Sequence, residues 1–92
     1  MLNLILGENR HVFIDVTSKK NERFTIARAD VELLHLENNR FVLETEPECS
    51  VYNGTHVKIF LAPKFCGTYI LKATMVIADE QIVRKFEITV SR

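Results

Sequence analysis

The side chains able to do chemistry are few and widely spaced. His11, His35 and His56 have no second histidine or cysteine two, three or four positions on. A zinc site needs four ligands converging at about 2.0–2.3 Å, so the expectation is histidines on strand edges or surfaces and no metal. Cys49 and Cys66 lie 17 positions apart. They allow one disulfide, but spacing does not establish proximity, and whether they pair stays open. Without an export signal reduced thiols are the default. No base sits near either in sequence to activate it as a nucleophile. Glu44, Glu46 and Glu48 alternate with Thr45, Pro47 and Cys49. In an extended strand their carboxylates share a face and could hold a hard cation such as calcium. A solvated edge that resists strand pairing, helped by Pro47, explains them as well. Lys19, Lys20 and Arg23 form the densest basic stretch. It is short and carries no interleaved aromatics, unlike a single-strand nucleic-acid groove. Asn53-Gly54-Thr55 matches a glycosylation sequon, yet the same residues read as a turn. No phosphate loop, nucleophile elbow or metalloprotease motif occurs. The reading is therefore of a chain that is not an enzyme and has no cofactor.

Composition narrows the class. Twelve basic and twelve acidic residues balance to a formal charge of zero, which removes the footprint of a general nucleic-acid or anionic-membrane binder. The chain is 47% hydrophobic and 26% charged, too apolar for disorder. No apolar run approaches a bilayer span. The opening Met1–Leu6 lacks a basic region and is too short for a signal peptide, so synthesis in the cytoplasm is expected. Ninety-two residues make one domain, 1–92.

The elements that must position these residues read as strands. Val, Ile, Thr, Phe and Tyr supply 32 of 92 residues, and branching or aromatic bulk at Cβ suits a pleated surface better than a helix. Alternation predicts strands at the start of the chain and over His11–Thr17, with a polar loop at 18–23. A long segment, Phe24–Leu36, changes phase. Ala29, Val31 and Leu33 share one face and Leu34 and Leu36 the other, which suggests a bulge or a change of surroundings.

Three hairpins follow from turn chemistry. Asn38-Asn39 suits a tight turn that sets Leu36 opposite Phe41 and Leu34 opposite Leu43. Asn53-Gly54 joins Cys49–Tyr52 to Thr55–Leu61, with Val57, Ile59 and Leu61 on one face. A turn around Asp79-Glu80 joins Gly67–Ile77 to Ile82–Val90. Symmetric pairing then sets Tyr69 opposite Val90, Leu71 opposite Ile88, Lys72 opposite Glu87 and Val76 opposite Val83. Arg84 interrupts the apolar face, at an end open to water. Seven or eight short strands predict an all-β, antiparallel two-sheet sandwich.

Gly67-Thr68-Tyr69-Ile70-Leu71 resembles the Gly-x-Tyr-x-Cys run that opens strand F of immunoglobulin domains. The resemblance implies a tyrosine corner, with the Tyr69 hydroxyl bonded to backbone a few residues upstream. Leu71 stands at the cysteine position, Phe65 replaces the usual acidic residue, and Trp is absent. The chain therefore resembles the broad immunoglobulin-like class and not antibody-type domains. That class implies adhesion, spacing or assembly. The style of the sequence is also loosely similar to phage or prophage virion modules of tail, baseplate or fibre type. The functional expectation is a non-catalytic structural or protein–protein interaction module that meets a protein partner or itself. Phe60, Ile70, Val76 and Val83 are its candidate contact residues, and Tyr69, Gly67, Asn53 and Gly54 its structural ones. The alternative is a ligand- or carbohydrate-binding sandwich module of a larger protein, with Tyr52, Phe60 and Phe65 as aromatic platform.

Overall fold

The computed structural model describes residues 2–16 and 24–92. The polar 18–23 segment with Lys19, Lys20 and Arg23 lies outside them. The described residues form eight strands: β1 Leu2–Ile5, β2 Arg10–Asp15, β3 Ile26–Glu37, β4 Arg40–Thr45, β5 Cys49–Tyr52, β6 His56–Leu61, β7 Gly67–Ile77 and β8 Glu80–Ser91. They make two sheets. A large sheet has the order β1-β8-β7-β3-β4 and a small sheet the order β2-β6-β5. All pairings are antiparallel except β1 with β8. No helix of the described residues is long and apolar enough to cross a membrane.

One core forms where the sheets face each other. Val31 and Leu33 of β3, Tyr69, Leu71, Ala73 and Met75 of β7, and Ile88 and Val90 of β8 come from the large sheet. Val57, Ile59 and Leu61 of β6 meet them from the small one. These residues lie at alternate positions because successive side chains of a strand point to opposite faces. The β5–β6 turn clips the layers together: the Gly54 carbonyl accepts a 2.7 Å bond from the Ile26 N–H.

Two turns match the sequence reading. Asn38 and Asn39 both have positive φ, +52° and +63°, and Leu36 pairs with Phe41 and Leu34 with Leu43. Asn53 and Gly54 lie at +53° and +73° between β5 and β6. Short polar side chains and glycine tolerate this region best.

Two expectations need correction. The β7–β8 hairpin turns at Ala78-Asp79, with Ile77 opposite Glu80, not around Asp79-Glu80. The register moves by two residues: Tyr69 faces Ile88, Leu71 faces Phe86, Lys72 faces Lys85, and Val76 faces Gln81 while Val83 faces Thr74. A two-residue shift keeps every side chain on its face, so alternation permits both registers. The phase change in β3 is the second, and only in part: register irregularities do fall along this strand, at Ile26/Arg28 against β7 and at Leu33/Leu34 against β4. Against β7 the run from Arg28 to His35 pairs without interruption. The irregularity at Leu33/Leu34 belongs to β4, where Leu33 faces Thr45 and Leu34 faces Leu43, leaving Glu44 as the extra residue. Leu34 and Leu36 are simply on the outward face.

Candidate functional site

A polar cluster sits on the inner side beside the irregularity in β4. Tyr69 is fully buried. Its hydroxyl accepts a 3.1 Å bond from the Phe65 N–H, four residues upstream. It donates a 2.8 Å bond to Glu44 Oε1. Gly67, at φ +132°, turns the preceding loop into β7, a conformation that suits a residue without Cβ. Alternation from the outward Leu43 sets Glu44 inward, with its side chain only 4% exposed. His35 completes the group. Its Nδ1 lies 3.6 Å from Glu44 Oε1, its Nε2 lies 3.2 Å from Glu37 Oε2, and its ring packs on Phe65 and Tyr69. Among the described residues His35 Nδ1 and Glu44 Oε2 are buried without a hydrogen-bond partner.

Burial, then the bond to Glu44, pushes the Tyr69 hydroxyl up to about 12, against the pull of the Phe65 N–H. A phenol held that high stays a hydrogen-bond donor and is a poor base near neutrality. The cluster therefore joins β3, β4, β7 and the loop before β7. The three alternating glutamates do not share a face: Glu44 points inward, whereas Glu46 and Glu48 are exposed beyond the end of β4. No grouping of three or more His, Cys, Asp or Glu that could hold a metal occurs among the described residues.

Both cysteines are free, and Cys66 is exposed. The Cys49 thiol donates to the Ala29 carbonyl at 3.3 Å. Burial and the Asp30 charge push that thiol up, outweighing the Val31 backbone bond. It is poorly disposed to be a nucleophile.

The outward faces carry the more conspicuous chemistry. On the large sheet, Leu36, Phe41 and Leu43 are 44%, 45% and 47% exposed. Leu34 lies between Leu43 and Ile70 across the strands. These five side chains come from three adjoining strands, β7, β3 and the edge strand β4. Val42 adds a further exposed apolar group on the same strand. The sequence signal was the Leu36/Phe41 and Leu34/Leu43 pairing itself, which places apolar residues outward once the opposite face is assigned to the core.

The named contact residues separate between the layers. Ile70, Val76 and Val83 lie on the outer face of the large sheet, and Phe60 lies on the outer face of the small one, opposite His11. Val76 and Val83 are offset neighbours, not an opposed pair. Around Phe60 the small sheet displays an aromatic surface: His11 against Phe60 at 5.0 Å, Phe13 against Tyr52 at 6.2 Å, and Tyr52 against His56 at 6.4 Å. His56 also contacts Asp15, directly opposite on β2. Phe65 lies apart, on His35. No family model matches the chain, and no curated protein matches it.

Proposed function

We propose that the chain is an immunoglobulin-like β-sandwich acting as a non-catalytic assembly module, and that it associates with further copies of itself through the outer face of β3 and β4. Two features support the fold reading. The strand order, β1-β8-β7-β3-β4 over β2-β6-β5, parallels a variable-type immunoglobulin arrangement of the C, F and G strands with an added C′, over B, E and D. The Tyr69–Phe65 bond parallels the tyrosine corner at the start of strand F.

The observation that carries the function is the contiguous apolar group Leu34, Leu36, Phe41, Leu43 and Ile70, three of whose members are more than two-fifths exposed. Scattered apolar residues on a surface are ordinary, but a joined patch on an edge strand marks association. A two-fold axis beside β4 would set the patch against itself, as an isologous dimer requires. The proposed setting, a tail, baseplate or fibre component of a phage or prophage particle, rests on sequence style alone. Light scattering over a concentration series tests association. Oligomers that dissociate in Phe41→Glu and Leu43→Glu support the reading, and a monomer at every concentration defeats it.

A second reading has its own observation. Phe13 and Tyr52, 55% and 53% exposed, with Phe60, His11 and His56, form a platform of the kind that stacks on sugar rings. Calorimetry against a glycan panel, repeated with Tyr52→Ala, separates it from the first. A glycan bound by a monomer and lost in Tyr52→Ala favours this reading.

A further inference from the structure

The two sheets close on one side and gape on the other. β1 pairs with β8 only from Ile88 to Ser91, and the Leu6 N–H extends the pairing to the Ser91 carbonyl at 2.7 Å. Among the described residues nothing pairs with the outer edge of β8 from Glu80 to Glu87. Across the gap, β2 is the edge strand of the small sheet. Between these two edges lies a groove of about 1100 Å³, lined by Val12, Ile14, Met75, Ile82, Arg84 and Phe86 among others. Phe86 and Arg84 share β8's inward side with Ile88, yet Phe86 is 38% exposed and Arg84 is exposed. An inward-facing aromatic ring that stays wet marks a layer left uncovered.

We propose that this groove receives an extended segment of another protein chain, which adds to β8 as a strand in line with β1. The occupant follows from three features. The edge of β8 from Glu80 to Glu87, unpaired among the described residues, offers a row of main-chain donors and acceptors, which an extended chain satisfies. The existing β1–β8 pairing is parallel, so a strand continuing it upstream runs parallel to β8 and meets Glu87 first and Glu80 last on going back along the chain. Opposed residues in a ladder share a face, so the guest side chains opposite Ile82, Arg84 and Phe86 point into the groove. The Arg84 guanidinium contacts the Val83 carbonyl at 3.1 Å and makes no ion pair among the described residues. The guest therefore carries an apolar, an acidic and an apolar residue at alternate positions. At about 3.3 Å per residue, about eight residues span the open edge.

A synthetic peptide of that length tests the proposal. Its core is valine–threonine–aspartate–threonine–valine, flanked by threonines and labelled for fluorescence anisotropy, and amide exchange is read on the protein. The expected result is saturable binding with exchange slowed at alternate residues of 80–87. Replacing the aspartate by lysine weakens binding by at least about tenfold, and Arg84→Glu reverses the preference between the two peptides. Arg84 is exposed, so this variant tests charge without endangering the core. The proposal fails if neither peptide binds, or if protection maps to β4 or to the outer face of the small sheet. It fails equally if 80–87 becomes protected with rising protein concentration and no peptide, because a second copy then fills the groove.

Discussion

Ile88 and Val90 at one end of β8 are 2% exposed, while Phe86, two residues earlier on the same side of the same strand, is 38% exposed. The alternation does not change between them. What changes is cover. Ile88 faces Tyr69 across the ladder and has β1 along its other edge. Phe86 faces Leu71 and has the open groove beside it. Periodicity states which way a side chain points, and only the neighbouring layer determines whether it is buried.

The sharpest way to break this contrast is to truncate both residues. Ile88→Ala removes a buried side chain and leaves a cavity, and should cost about 2–5 kcal/mol. Phe86→Ala removes a larger side chain from a wet site and should cost about 1 kcal/mol or less. Urea unfolding of the two variants measures the difference. Equal costs would mean that the groove is closed in solution.

Tyr69→Phe comes next. It keeps the ring and removes the hydroxyl that bonds the Phe65 N–H and Glu44. Both partners lose a bond in a partly buried place, so a loss of about 1–2 kcal/mol is expected. The same residue gives a pH dependence. Its folded value is raised to about 12 from an unfolded value of about 10. Between these values the unfolded chain holds fewer protons than the folded one, so stability is complete below the unfolded value and falls as pH rises through the folded one. Thermal unfolding at rising alkaline pH should show this decline, and Tyr69→Phe should lose that part of it.

The turns separate what the sequence carried from what it did not. Asn38-Asn39 and Asn53-Gly54 announce themselves because few residues accept positive φ, and the strands they join follow directly. At the third hairpin the positive φ falls on Ala78, at +55°, a residue with no such preference. Asp79-Glu80 looked equally suitable, and the apolar alternation could not object to a shift of two. The same blindness hid what sets Glu44 apart. In sequence it is one of three alternating carboxylates, and what the sequence does not reveal is the two-against-one pairing after Leu43 that separates Glu44, inward beside Tyr69 and His35, from Glu46. The Asn38-Asn39 hairpin places Glu44 inward by alternation, but nothing local separates Glu46 from that face. Ala78→Gly tests the turn directly. Glycine relieves the left-handed strain and should stabilise by about 0.5–1 kcal/mol, or nearly nothing if the turn lies one residue later.

The smallest expected effect decides the register itself. With Lys72 opposite Lys85, its nearest carboxylate is Glu32 on β3, at 3.8 Å from Nζ, and not Glu87, which faces Ile70. Both partners of that ion pair are partly exposed, so its coupling should be only about 0.2–1 kcal/mol. A double-mutant cycle of Lys72→Met with Glu32→Gln should return a value in that range. The matching cycle with Glu87→Gln should return less, because Glu87 is a diagonal neighbour and not a cross-strand partner. High salt should shrink the first coupling, as expected for an exposed pair. If the Glu87 cycle gives the larger coupling, β8 sits two residues along, Phe86 moves opposite Ala73, and the positions facing the groove shift with it. A difference of a few tenths of a kcal/mol thus fixes which side chains a guest strand would meet.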